Sequence, residues 1–296
     1  MYKPQAAVFV PLLALVWGAG VHAQGSTGCG GKGADLKEML ETEYAFEHKA
    51  QDSVRDAFLA YLAEDSLILQ PKPTPGRAFY EAAKPNSDKL EWYPAIAAVA
   101  PGGDLGFSTG PWIYTVADGT HLYGDFITVW KRDSACQWRA QFDGGISHAM
   151  PQSAAPKLLP ATTKITVAAG TTALPLKKAM ARMDQARRDF ERTAQQDGLA
   201  AGLRTYARDG DFRFYVEGEA PKGAGAANQY LADRAVASWS EDARGRSADA
   251  TLAYSIGHFA DAKPSGQHAY LQIWQYDPKV ANWGLRIFLM TPIDAK

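Results

Sequence analysis

The stretch FEHKAQDSVRDAFLAYLAED, from Phe46 to Asp65, returns in altered form 144 residues later as FERTAQQDGLAAGLRTYARD, from Phe190 to Asp209. Identical residues at this spacing include Phe46, Ala50, Ala63, Asp65, Trp130 and Asp133, which recur as Phe190, Ala194, Ala207, Asp209, Trp274 and Asp277. A repeat that spans about 100 residues is the size of a small domain, not of a solenoid unit. The chain is therefore predicted to contain two copies of one fold in tandem.

Helical periodicity opens both copies. The spacing i, i+3, i+4, i+7 and i+8 marks an apolar stripe on one helix face. It is found at Val54, Ala57, Phe58, Tyr61 and Leu62, and again at Leu199, Gly202, Leu203, Tyr206 and Ala207. Another helix is predicted before each stripe, from Asp35 in the first copy and around Met180 to Phe190 in the second. Asp65-Ser66 is expected to end the second helix, and Arg77 to Ala83 to form a short third one.

The rest of each copy has the pattern of strands separated by turns. In the first copy the predicted strands are Leu90–Val99, Leu105–Val116, Leu122–Lys131 and Gln137–Ile146. In the second they are Phe212–Glu217, Ala235–Glu241, Ala248–Phe259, Gln267–Tyr276 and Trp283–Thr291. Asp118-Gly119 and Asp133-Ser134 are turn signals between adjacent strands, so a meander of antiparallel strands is expected.

Composition divides the chain. Residues 151–175 are rich in Ala, Pro and Thr and poor in charge, as in a linker, and the glycine-rich residues 24–34 resemble a flexible arm. Two domains are therefore predicted, at 35–150 and 176–294. Helices followed by strands in each copy predict the α+β class.

The first 23 residues have the three parts of a secretory signal peptide. Lys3 supplies the positive region, Ala6 to Gly20 is apolar apart from Pro11, and Val21-His22-Ala23 fits a cleavage site. An uncleaved membrane anchor is the alternative, but about 15 apolar residues fall short of the roughly 20 that span a bilayer. We expect an exported protein, periplasmic or secreted, with no membrane span.

The charge balance argues against a nucleic-acid partner. Removal of the signal peptide takes Lys3 away, which leaves 30 of the 31 basic residues against 32 acidic ones, a net charge of −2. Nucleic-acid binding would need a clustered basic face.

Cys29 and Cys136 are the two cysteines of the chain. In an oxidising compartment they can form one disulfide that closes a loop of about 100 residues. A free pair remains open, because the sequence does not reveal whether the arm around Cys29 reaches the turn around Cys136. A lipid-anchored Cys29 is a further alternative, although Ser26-Thr27-Gly28 lacks the leucine-like residue of such sites.

Three segments of the first copy resemble the nuclear transport factor 2-like superfamily, in particular its SnoaL-like and calcium/calmodulin kinase association-like branch of domains with unknown function. They are Phe58 to Asp65, Asp104 to Gly110, and Val129 to Arg132 with Trp138 after the turn. The second copy keeps the helix stripe, Ser255-Ile256-Gly257 and the hairpin from Trp274 to Trp283. The resemblance implies two tandem cone-shaped domains, each with N-terminal helices packed on a curved antiparallel sheet.

This resemblance also implies a pocket between the helices and the concave side of each sheet. Family enzymes place an Asp, His or Tyr there for proton transfer, because an apolar cavity moves a carboxyl pKa toward neutrality. In the first copy Asp143 and Asp125 are the candidate catalytic residues, although Asp125 could instead face solvent and Asp143 could end a strand. The second copy has Ile287-Phe288 where the first has Asp143.

Aromatic residues and two histidines are candidates for lining the pockets. Most of the aromatics are expected to fill the core, and some to line an apolar ligand cavity. The predicted ligand-binding set is Tyr44, Trp92, Trp112, Tyr114, Tyr215, Trp239, His258 and His268. His258 and His268 lie on neighbouring strands and could meet across a hairpin, but a third metal ligand is missing, so we predict no metal and no cofactor.

Two classes of function remain open at this point. The first is a non-catalytic exported module that binds a small apolar molecule or a partner, favoured because no acid/base set occurs in both copies. The second is an acid/base enzyme of the isomerase, cyclase or dehydratase kind centred on Asp143. We also expect the two domains to pair within the chain as a pseudo-dimer.

Overall fold

The computed structural model describes residue 29 and residues 35–158, 175–207, 212–263, 266–277 and 281–293. The predicted signal peptide, the predicted arm apart from Cys29, and residues 159–174 of the predicted linker lie outside these ranges. The domain boundaries stay predictions. The term first half is used for residues 35–158, and second half for the described residues from 175 to 293.

The first half begins with helices and ends with three long strands. Its elements are α1 (Asp35–Ala50), α2 (Val54–Tyr61), β1 (Leu62–Leu69), β2 (Pro73–Pro75), α3 (Gly76–Ala82), β3 (Lys89–Trp92), β4 (Ile96–Val99), β5 (Leu105–Thr115), β6 (His121–Arg132) and β7 (Trp138–His148). Helix α2 begins where Ser53 accepts a hydrogen bond from the backbone N–H of Asp56, a normal N-cap.

The second half repeats this order. Its elements are α4 (Leu176–Asp197), α5 (Leu199–Tyr206), β8 (Arg213–Val216), β9 (Glu219–Lys222), α6 (Ala224–Tyr230), β10 (Ala235–Arg246), β11 (Leu252–Lys263), β12 (Gln267–Asp277) and β13 (Asn282–Pro292). Gly198 separates α4 from α5 with a φ of 90°, a conformation that favours glycine. The predicted α+β class is confirmed.

Each half contains one sheet, and both sheets are mixed instead of wholly antiparallel. The first has the order β2-β1-β7-β6-β5-β3, with β4 also paired to β5, and the second has the order β10-β11-β12-β13-β8-β9. The long strands form antiparallel meanders as predicted. However, β1 runs parallel to β7, and β8 runs parallel to β13. Parallel neighbours need a long connection, and here nearly a whole domain separates the two strands in sequence.

Several predicted element boundaries differ from the structure, two of them for a clear physical reason. Helix α2 ends at Tyr61 instead of Asp65-Ser66, because Leu62 already pairs with Ala140 of β7 and the chain continues as strand β1. The predicted strand Leu90–Val99 is divided into β3 and β4. Its middle contains Pro94, which has no N–H to donate. On either side, the N–H groups of Tyr93 and Ala95 donate hydrogen bonds to the carbonyls of Pro111 and Thr109 of β5.

The repeated residues form the same contact in both halves. The ring of Phe46 on α1 lies 6.2 Å from that of Trp130 on β6, and the ring of Phe190 on α4 lies 5.9 Å from that of Trp274 on β12. All four side chains are buried. Thus the residues that recur at a spacing of 144 join the long helix to the sheet.

One buried cluster combines residues of both halves. The other faces of the two sheets meet through Leu105, Phe107, Ile127, Val129, Phe142, Leu252, Ile256, Leu271, Ile273 and Leu289. The long strands are therefore apolar on both faces, one toward the helices and one toward the other sheet. Within the described residues, no helix is both long and apolar enough to cross a bilayer.

Candidate functional site

A cavity of about 510 Å³ lies in the first half between the helices and the sheet. We call it the helix-side cavity. Seven aromatic residues line it: Phe58, Phe79, Tyr80, Trp92, Trp112, Tyr114 and Phe126. Asp143 of β7 is the one acidic residue among the described residues that line it. Such a cavity, largely apolar with a few polar groups, is the usual form of a small-molecule site.

Asp143 is held by its neighbour across the sheet. Thr128 of β6 lies directly opposite, and its Oγ1 donates a hydrogen bond of 2.7 Å to the Asp143 carboxylate. Burial against protein raises the pKa of Asp143 to about 7, although the Thr128 bond acts in the opposite direction. Nearby Glu43 raises it further. A carboxyl group with this pKa can donate or accept a proton near neutral pH.

Sequence reasoning missed Glu43. This α1 residue is fully buried, and its carboxylate accepts hydrogen bonds from Trp92 Nε1 at 2.6 Å, from Trp130 Nε1 at 2.8 Å, and from the Ser108 hydroxyl. No ion pair reaches it from the described residues, and burial raises its pKa. The available signal was its position, since Glu43 falls in the apolar stripe of Met39, Leu40 and Phe46.

Two tyrosines belong to the polar lining of the helix-side cavity, which also includes Arg55, Gln70, Lys84, Asn86 and Ser147. The Tyr80 ring stacks on Phe58 with centroids 4.2 Å apart, and burial together with Asp143 raises its pKa well above the usual value. The hydroxyl of Tyr114 donates to Asp88 at 2.5 Å, and burial and this contact raise its pKa to about 12. Both hydroxyls therefore stay protonated at physiological pH.

The predicted aromatic residues of the first half divide into two groups. Trp92, Trp112 and Tyr114 line the helix-side cavity. Tyr44 lines neither this cavity nor the one described next, and its hydroxyl instead donates to the carbonyl of Leu158 at 3.3 Å. The Trp112 ring rests on β6 at Gly124, where a Cβ atom would come within 2.4 Å of it.

Asp125 lies on the opposite face of the sheet from Asp143. Side chains alternate along a strand, and Phe126 and Thr128 face the helices, so Asp125 faces the second half. There it lines a cavity of about 840 Å³, the junction cavity, formed by the first sheet, residues 150–157 and strands β8 and β9. The two predicted carboxylates therefore belong to different cavities and cannot act on one substrate as a pair.

In the junction cavity Asp125 is paired with a histidine. His148 Nε2 lies 2.7 Å from the Asp125 carboxylate, and His148 Nδ1 lies 2.7 Å from the carbonyl of Ala149. Burial raises the pKa of Asp125, and His148 partly offsets that effect. The hydroxyls of Thr109 and Tyr215 lie 2.8 Å apart. Tyr215, a predicted ligand-binding residue of the second half, thus lines the junction cavity.

The second half has a phenylalanine where the first has Asp143. Gln272, which is 144 residues after Thr128, lies opposite Phe288 of β13. The Phe288 ring packs on Phe190 and Phe214, with centroids 5.9 and 5.8 Å apart. Trp239, predicted to bind ligand, packs in the same core, 4.8 Å from the Phe259 ring. Core side chains thus occupy the space that the cavity occupies in the first half.

The two histidines do not meet. His268 lies directly opposite Phe259 and stacks on its ring. His258 immediately precedes Phe259 in β11, so its side chain points to the other face of the sheet. His258 lies 3.2 Å from Asp242 at the surface, whereas His268 contacts Asp261 and Arg234. Among the described residues no group of three or more His, Cys, Asp or Glu could hold a metal ion.

The two cysteines lie at the edge of the first half. The structure joins Cys29 to Cys136 in a disulfide, with the Cα atoms 5.2 Å apart. This bond joins Cys29 to the turn between β6 and β7, and neither cysteine lines either cavity.

Among solved structures, the chain matches an NTF2-like protein of unknown function from Pseudomonas putida KT2440 with 16% identity and a TM-score of 0.34, over 46% of this chain and 99% of that one. It matches a second such protein, from Shewanella oneidensis MR-1, with 10% identity and a TM-score of 0.31, over 38% and 98%. A putative ketosteroid isomerase from Parabacteroides distasonis ATCC 8503 matches with 16% identity and a TM-score of 0.32, over 38% and 89%.

The chain resembles nuclear transport factor 2-like proteins. Each match covers nearly the whole of the other chain and less than half of this one. No protein-family model and no curated protein matches the sequence. At these identities and TM-scores, no reaction or ligand follows from the likeness.

Proposed function

We propose that the protein binds a small, mainly apolar molecule in the helix-side cavity, with the Asp143 carboxyl as its hydrogen-bonding partner. The observation that carries the proposal is the aromatic-lined cavity around a single acidic group in the first half, where the second half has Phe288 in a packed core. A volume of about 510 Å³ lies within the range of roughly 300 to 1,000 Å³ typical of small-molecule sites.

Native mass spectrometry of protein purified from its own host tests this proposal. We expect a bound apolar compound, which Asp143→Phe should displace because it places in the first half the side chain found in the second. Asp118→Asn is the matched control, since Asp118 lies in an exposed turn away from the cavity. Equal occupancy in Asp143→Phe and wild type would contradict the proposal, as would wild-type protein without any ligand.

An acid/base reaction is the second candidate. Its specific support is the pKa of about 7 for Asp143, which suits a group that exchanges a proton with substrate at neutral pH. Here Asp143 would take a proton from a carbon acid in the cavity and return it at another position. Deuterium incorporation into the bound compound in D2O, lost in Asp143→Asn while binding persists, would favour catalysis over simple binding.

We also propose that the mature protein begins at Gln24 outside the cytoplasm. The signal-like residues 1–23 support this, and so does the disulfide between Cys29 and Cys136, since such bonds persist in oxidising compartments. N-terminal sequencing of protein from the periplasmic or extracellular fraction tests it. An intact Met1 terminus would contradict cleavage.

Finally, we propose that the chain is a monomer in which the two domains pair as a pseudo-dimer. The cluster shared by the two sheets supports this, together with two reciprocal hydrogen bonds. Asp104 accepts from the N–H of Ala248 at 2.9 Å, and Asp249 accepts from the N–H of Gly102 at 2.6 Å. Reciprocal contacts between matching segments are typical of a two-fold interface.

A further inference from the structure

The junction cavity contains a carboxylate paired with a histidine, together with two tyrosines. Asp125 contacts His148 directly. Burial first, and Asp125 second, raise the pKa of Tyr93 and of Tyr215, whose hydroxyls bond to the Ala155 carbonyl and to Thr109. The side chains of Asp125 and His148 are 15% and 5% exposed, so both are largely removed from water. Polar groups from both halves of the chain therefore line this cavity.

One oxygen of this carboxylate remains available. Its Oδ2 contacts His148, and within the described part of the chain no side chain or backbone group hydrogen bonds to its Oδ1. The Nδ1 of His148 faces a carbonyl, which only accepts, so Nδ1 carries a proton and the ring position is fixed. Oδ1 is thus a positioned acceptor at the wall of the cavity.

The remaining lining selects against a charged ligand. Three acidic residues and three basic ones line the junction cavity: Glu47, Glu91, Asp125, His148, Lys157 and Arg213. The other lining side chains are largely apolar or aromatic, among them Tyr93, Trp112, Tyr123, Ile96 and Pro221. Flat apolar walls with the positioned Asp125 acceptor suit a planar, uncharged molecule that carries a donor.

We propose that the junction cavity is a second binding site, which takes a planar hydroxyaromatic molecule whose hydroxyl donates to Asp125 Oδ1. The site requires both halves, because Tyr215 and Arg213 come from the second half and Asp125 and His148 from the first. Its carboxylate differs from that of the helix-side cavity, since Asp125 and Asp143 lie on opposite faces of the sheet, while Trp92 and Trp112 line both cavities. The proposal does not depend on the function assigned to Asp143.

Calorimetric titration of the full mature chain with 2-naphthol tests the site, with naphthalene as the probe that lacks the hydroxyl. We expect 2-naphthol to bind at a site that Asp143→Asn retains. Asp125→Ala should weaken this binding about tenfold or more, the scale of a lost hydrogen bond to a charged group. Ala220→Trp, at an exposed position of the cavity rim, should block binding sterically without removing any polar group.

Circular dichroism of each variant establishes that it is folded, and Ala220→Trp provides a second route should Asp125→Ala unfold. Loss of 2-naphthol binding in both junction variants, with naphthalene bound at least tenfold more weakly, supports the proposal. Absence of binding to the wild-type protein overturns it. Binding that is unchanged in Ala220→Trp, or that disappears only in Asp143→Asn, also overturns it and assigns the probe to the helix-side cavity.

Discussion

Asp143 of the first half and Phe288 of the second occupy matching places in their sheets. Asp143 lies opposite Thr128 and Phe288 lies opposite Gln272, and these two partners are 144 positions apart in the sequence. One fold has thus been used in two ways. In the first half the position faces a cavity of about 510 Å³, and in the second it carries a ring in a packed core. This position therefore distinguishes the half with the cavity from the half with the packed core.

Phe288→Ala should destabilise the second half by about 3–5 kcal/mol, because it removes a fully buried ring and leaves a void that the neighbouring rings fill only in part. Urea unfolding monitored by tryptophan fluorescence measures this. Phe79→Ala is the control, since Phe79 is a partly exposed phenylalanine at the helix-side cavity. Equal losses in the two variants would mean that Phe288 is not a core residue.

Asp143 should make stability depend on pH. Its pKa rises from 3.8 in the unfolded chain to about 7 in the folded one, so the folded state holds the proton more tightly. The free energy of unfolding should therefore fall as pH rises from about 4 to about 7, by on the order of 2–4 kcal/mol. Asp143→Asn lacks this proton and should lack this part of the pH dependence.

Thermal unfolding of wild type and Asp143→Asn across that pH range is the measurement. The difference between their midpoints should be small at about pH 4 and should grow in favour of Asp143→Asn up to about pH 8. Two parallel curves would show that the carboxyl is hydrated in the folded protein.

Glu43→Gln should lower the free energy of unfolding, although the Glu and Gln side chains have nearly the same shape. The Glu43 carboxylate accepts from two indole N–H groups and one hydroxyl, and an amide turns one of its two acceptor oxygens into a donor. A buried donor then faces another donor, which costs about 1–3 kcal/mol. Glu47→Gln on the same helix, whose side chain is only partly buried, should change stability by less than about 0.5 kcal/mol.

Chemical denaturation of both variants at about pH 8 gives the comparison. If Glu43→Gln were as stable as the wild type or more so, the carboxyl would have to be protonated in the native state, and the three donors would not all point at it.

The repeat and the periodic apolar residues were sufficient to predict the class of fold and nearly every long element. Phe46 and Trp130 recur with Phe190 and Trp274 because helix-to-sheet contacts constrain large side chains most strongly. The parallel pairs of β1 with β7 and of β8 with β13 were not predictable, because strand pairing across a whole domain leaves no local pattern.

The site was predictable only where a residue type and a strand position agreed. Asp143 was found because it is an acid in the last strand, whereas Glu43 was passed over because an acid on a helix is ordinarily a surface residue. Whether Asp125 shares a cavity with Asp143, or whether His258 meets His268, depends on whether the two side chains lie on the same face of the sheet. A shift of one residue reverses that face, and the sequence alone does not determine the register.

Pairing of the two halves should make the chain a compact monomer. The contact between the sheets is apolar at its centre and is flanked by the reciprocal bonds of Asp104 and Asp249, and the predicted linker keeps the halves at high effective concentration. For the chain without residues 1–23 we expect a mass near 30 kDa and a radius of gyration of about 18–19 Å. Small-angle scattering with light scattering measures both. A two-lobed particle with a radius well above this value, or a mass twice that of the chain, would show that the halves do not pair with each other.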